Sequence, residues 1–133
     1  METKTNITIL NALKAGAISG VASLVVNNIW NILIVKTTGV VAPLITVGSV
    51  STSSFITGVL AGLIFFAIAK FSPKASLIFV VFALVMGVLS CYSNIQPKLW
   101  DGNATPEGFA LLTIPMHLFS AALAAYIVPK FSK

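Results

Sequence analysis

Polar and apolar positions along this chain fall into four long apolar runs separated by short polar breaks, with no sustained strand-like alternation. The runs cover about residues 12–35, 51–69, 75–93 and 109–128, and a helix needs about 20 apolar residues to cross the hydrocarbon core of a bilayer. Each run meets that length or nearly so. The break between the second and third is short, Lys70-Phe71-Ser72-Pro73-Lys74. The other two breaks, 36–50 and 94–108, are longer. The pattern predicts an all-α membrane protein, a single four-transmembrane-helix bundle occupying residues 1–133.

Within the runs, small and polar side chains return at helical spacing. At 100° per residue, Gly16, Gly20, Ser23 and Asn31 all fall within about 40° of Asn27, with Asn28 and Trp30 beside the stripe. Ser54, Gly58 and Gly62 follow at intervals of four in the second run, and Ala83, Gly87 and Cys91 in the third. In the fourth, Ala110, Thr113, His117, Ser120, Ala121 and Ala124 share one face, opposite Leu112 and Phe119. Small residues let helix backbones approach closely, and amides hydrogen-bond across such seams. The four faces are therefore expected to turn inward.

Composition sharpens the membrane assignment. Charged residues are 8% of the chain and hydrophobic residues 57%, against roughly 25% charged in soluble domains. All eight basic residues are lysines. With four spans, Lys4, Lys14, Lys70, Lys74, Lys130 and Lys133 share one side; Lys36 and Lys98 lie on the other with Asp101 and Glu107. The positive-inside rule then places both termini in the cytoplasm of a multi-pass protein of the cell (inner) membrane. The net charge of +5 reads as a topology signal, and lysines scattered over helix ends do not suit nucleic-acid binding. The first run is too long for the apolar region of a signal peptide, and Pro43 follows the small residues at a plausible cleavage point, so it is expected to be retained. "NAT" at Asn103 is a formal glycosylation sequon on the outer side, and "VLSC" at 88–91 resembles a lipid-attachment site but sits mid-chain.

Sliding the sequence by 60 positions brings Lys14-Ala15 onto Lys74-Ala75 and Lys70-Phe71-Ser72 onto Lys130-Phe131-Ser132, with Ile18, Val21, Leu24, Val25, Gly48, Ala61 and Leu63 also meeting identical residues. Two readings stand. One is a pair of tandem helical hairpins related by a parallel repeat about an axis along the membrane normal; the other is coincidence among small and aliphatic residues.

Candidate chemistry is sparse and lies toward the outside. Asn27 and His117 sit roughly 12–14 Å below the outer boundary of their runs at 1.5 Å per residue. Ser54, Thr57, Ser90 and Cys91 also fall in the outer half, while the inner half is nearly all aliphatic and phenylalanine. Pro115 removes a backbone donor and clashes with the Leu111 carbonyl, so a kink and a freed acceptor are expected at the level of His117. An ionisable residue at this depth points to function; the structural reading makes His117 a neutral hydrogen-bonding partner of Asn27 or Thr113. The candidate ligand-binding set is Asn27, Asn31, Thr57, Thr113 and His117, with packing as the competing reading for the asparagines. A single cysteine closes no internal disulfide and supports no thiol relay. One histidine holds a haem only across a dimer, and His117, Cys91 and distant loop carboxylates make a poor zinc set. No second acid or base accompanies His117, so neither a catalytic residue, a metal nor a cofactor is expected. The uncharged outer segment 39–48 and the segment 96–102 with Trp100 either lid an outward cavity or serve as ordinary anchoring loops.

The glycine-rich opening with asparagine, "AGAISGVASLVVNN", the lysine-bounded inner turn, Ser90 and Pro97 after the third run, and "MHLFSAALAAYIVP" at the end together resemble a family of small bacterial four-span membrane proteins of unknown function. Met116-His117 and Pro129 are its most specific elements, and the absence of arginine at the inner turn is a departure from it. The resemblance implies an integral membrane fold and no particular chemistry. Taken with the residues, it leads to a non-enzymatic bundle that binds a small apolar or lipid-like ligand, or a membrane partner, in its outer half. A small transporter or channel, as a homo-oligomer or with the hairpins paired, is the alternative; it lacks the intramembrane carboxylate or lysine that coupling generally uses.

Overall fold

The computed structural model describes residues 6–133 and contains four long helices. Helix α1 runs over Ile9–Thr38, α2 over Val47–Phe71, α3 over Ala75–Ser90 and α4 over Phe109–Phe131. A 3-10 segment, Cys91–Ile95, continues α3, and all four spans are long and apolar enough to cross a membrane. Lys4 lies outside the described residues.

Helix ends follow local chemistry. Thr8 caps α1 by accepting from the Asn11 amide, and Gly39 closes it in the left-handed conformation, φ 71°. Thr46 and Ser49 form a reciprocal capping box at the start of α2, satisfying two donors that the first turn leaves free. These caps extend α1 and α2 beyond their apolar runs. The segment between the two helices holds one turn around residues 42–45.

The C-terminal end of α3 tightens into its 3-10 turn because side chains take over its carbonyls. The Ser90 hydroxyl and Cys91 thiol both donate to the Gly87 carbonyl, while Ser93 and Asn94 donate to that of Ser90. Such groups would otherwise be orphaned at a helix terminus.

Helix α1 packs between α2 and α4, α4 packs against α3, and α1 and α3 occupy the diagonal. The α1–α2 seam is backbone on backbone. A Cβ added to Gly16 would stand 2.6 Å from the Gly58 carbonyl oxygen, and one added to Gly58 would strike Gly20. Between α3 and α4 the corresponding close approach is Gly87 against the Ala121 methyl. The small faces of α1 and α2 thus turn inward as their spacing predicts. Ser19, Ser23, Asn27, Asn31 and Ser54 are buried among them. On α4, by contrast, Leu112, expected opposite the small face, is fully buried in the core and Ala110, His117, Ser120 and Ala121 are only half-buried, because α4 packs on both α1 and α3.

Two apolar clusters mark the ends of the bundle. Phe65, Phe79, Ala83, Ala124 and Val128 form one, with Phe65 and Phe79 edge to face at 5.3 Å between centroids and Ile7 packed alongside. This cluster gathers the start of α1, the 70–74 turn and the end of α4, so those three share one end of the bundle. Lys14, Lys70, Lys74, Lys130 and Lys133 belong to it. Lys70 lies over the Phe66 ring, and Lys130 lies over Tyr126 while donating to its hydroxyl. Ile34, Val50, Leu112 and Met116 form the second cluster, at the loop end.

Candidate functional site

The side chains that carry candidate chemistry meet around Asn27. Its amide nitrogen donates to the hydroxyls of Ser54 on α2 and Ser120 on α4, both at 2.9 Å. One residue of α1 therefore ties three helices together. Asn28 reaches Ser51 and its own Leu24 carbonyl. The amide oxygens of Asn27, Asn28 and Asn31 are buried without a hydrogen-bond partner, as is the Ser19 hydroxyl.

Trp30 answers the question that Pro115 raises. Helix α4 continues unbroken through this proline, whose missing N–H leaves the Leu111 carbonyl without its usual donor. The Trp30 indole N–H fills the gap, donating to the carbonyls of Leu112 at 3.2 Å and Leu111 at 3.4 Å. The same indole packs edge to face on Phe119, 5.7 Å between centroids.

Beside this junction lies a cavity of about 610 Å³ in the loop-end half of the bundle. Ser49, Ser53, Ser54 and Thr57 of α2 form one wall. Phe109, Thr113, Met116, His117 and Ser120 of α4 form the facing wall, with Asn27 at the back. Leu44 and Ile45 come from the first outer connection, and Ser93, Asn94, Leu99 and Trp100 from the second. Both connections thus border the cavity. Helix α3 enters the lining only through Ser93 and Asn94 of its 3-10 continuation, so the cavity is a crevice between α2 and α4 at the loop end, clear of the Phe65–Phe79 cluster.

Asn27, Thr57, Thr113 and His117 line this one cavity. Asn31 is buried but is not part of its wall. Thr113 donates to the Phe109 carbonyl of its own helix, and Asn27 is engaged by the two serines. Neither bonds His117, whose half-buried ring has no hydrogen-bond partner among the described residues. Sequence reading missed Ser49 and Ser53 as wall residues. Their signal was the recurrence of hydroxyls at 49, 53 and 57, one helical turn apart. No group of three His, Cys, Asp or Glu side chains converges among the described residues.

The arrangement defines a class: a small multi-pass helical membrane protein with a hydroxyl-walled crevice in one half. No family model, curated protein sequence or solved structure matches the chain.

Proposed function

We propose that the protein is a non-enzymatic membrane bundle that holds a small apolar or lipid-like ligand in the crevice between α2 and α4. The observation that carries this reading is the crevice itself, about 610 Å³ with Asn27, Thr57, Thr113 and His117 on its walls. Ligand sites are typically concavities of about 300–1,000 Å³, mostly apolar with a few placed polar groups. The lysine excess at the other end supports cytoplasmic termini in a cell (inner) membrane, which turns the crevice toward the outer leaflet. The resemblance to small bacterial four-span proteins belongs to the same proposal.

The packed Phe65–Phe79 cluster lies across the path a solute would take to the lysine end, which favours binding over the transporter or channel alternative. Purification in mild detergent followed by mass spectrometry tests the reading with a His117→Ala variant. Loss of a co-purified small molecule at unchanged thermal stability is expected. A large loss of stability with no ligand on the parent protein would overturn it. Flux through proteoliposomes above that of empty vesicles would establish the alternative.

A further inference from the structure

The polar groups of the crevice divide into those already engaged and those left free. Asn27 is held by Ser54 and Ser120, Thr113 bonds Phe109, Ser49 completes the α2 cap, and Ser93 and Asn94 bond the Ser90 carbonyl. Besides the buried Asn27 amide oxygen and the exposed Trp100 indole N–H, three groups remain without a partner among the described residues: Ser53 and Thr57 on α2 and His117 on α4. Ser53 and Thr57 are exposed yet lie one turn apart in a membrane-spanning helix. A hydroxyl without a partner in an apolar medium costs several kcal/mol in transfer, so these positions call for something polar to reach them. No Asp, Glu, Lys or Arg contributes to the lining. A phosphate drawn into the crevice would therefore lose its hydration and meet no cation.

We infer, resting on the ligand-binding reading above, that the crevice takes an uncharged amphiphile whose oxygen-bearing headgroup hydrogen-bonds Ser53, Thr57 and His117. The hydroxyls and imidazole supply donors and acceptors for ester, carbonyl or alcohol oxygens. Leu44, Ile45, Met116 and Trp100 supply apolar contact for the attached chain. Charged-headgroup lipids stay at the surface of the bilayer, where water and counterions are available.

Native mass spectrometry of the full-length protein in detergent tests this with dioleoylglycerol, dioleoylphosphatidylglycerol and dioleoylphosphatidylethanolamine as probes. Dioleoylglycerol should be retained at least about fivefold over either phospholipid, and Ser53→Ala/Thr57→Val should remove that advantage, as expected for two lost hydrogen bonds. Ser76→Ala, an exposed hydroxyl on α3 outside the crevice, should leave it intact. Both test positions are exposed, so the double variant should keep the parent's melting temperature, and Ser53→Ala alone should give a partial loss. Phospholipid retained equally, and lost in the same variants, would overturn the uncharged-headgroup inference while leaving ligand binding in the crevice standing. Retention of none of the three probes, with no co-purified molecule, would overturn both.

Discussion

Asn27 and Asn31 lie one turn apart on the same buried face of α1, yet their environments differ. Asn27 gives both amide hydrogens to serines on two other helices, whereas the oxygen of Asn31 has no partner. Interhelical hydrogen bonds within membranes are worth on average about 0.6 kcal/mol and at most about 1.7. Asn27→Leu should therefore lower unfolding free energy by about 1–2 kcal/mol, since it also leaves the Ser54 hydroxyl buried without its donor. Asn31→Leu should be neutral or stabilising, because it replaces a polar atom that is buried unpaired. Equilibrium unfolding in mixed micelles measures both; an equal loss would mean that the Asn31 oxygen is satisfied by a group not described. His117 stands apart from both asparagines. On the packing reading its partners are Asn27 and Thr113, but the Asn27 amide hydrogens and the Thr113 hydroxyl are bonded elsewhere and the Asn27 oxygen is left unpaired among the described residues.

At the scale of elements, the α1–α2 pair is fixed by a run of glycines, and α3 meets α4 with a single glycine approach, Gly87 to Ala121. Gly58→Leu would drive a side chain into the Gly20 backbone, which cannot turn aside as a flexible side chain would. A loss of about 2–3 kcal/mol or more is expected from such overpacking. Gly48→Ala, whose added methyl would meet only the Thr46 hydroxyl oxygen at 3.8 Å, should cost nothing and give a slight gain in helix propensity. The same micellar unfolding assay reads both, and a Gly58 variant as stable as the Gly48 variant would discount the seam. The four spans and the inward faces of α1 and α2 were readable in the sequence because hydropathy and the 3.6-residue period act within a single helix; the burial of Leu112 on α4 was not, because α4 is packed from two sides. The partner of each polar group was not. That the Trp30 indole meets the gap left by Pro115, or that Asn27 chooses Ser54 and Ser120 over His117, depends on residues some 27 to 93 positions away. The 3-10 end of α3 was hidden for another reason: Ser90, Cys91, Ser93 and Asn94 look like a helix running out into a loop, until their bonds to preceding carbonyls are seen.

Across the whole molecule, lysines and apolar clusters divide the bundle into unlike halves, one closed around Phe65 and Phe79 and one open beside α4. Orientation can be read directly in a Cys91→Ser background. A membrane-impermeant maleimide applied to intact cells should label Asp101→Cys, while Lys74→Cys should react only after permeabilisation; the reverse pattern would invert the topology. The end of α3 bears on the lipid around it. A helix whose final carbonyls are supplied by its own serines, cysteine and asparagine does not need to surface into water before it stops. The α-helical part of α3, 16 residues, covers about 24 Å at 1.5 Å per residue, and the 3-10 continuation over Cys91–Ile95 adds about 10 Å at roughly 2.0 Å per residue, so the span reaches across the roughly 30 Å of hydrocarbon only with that end included. That last stretch is thus a lintel pinned by serine, cysteine and asparagine side chains.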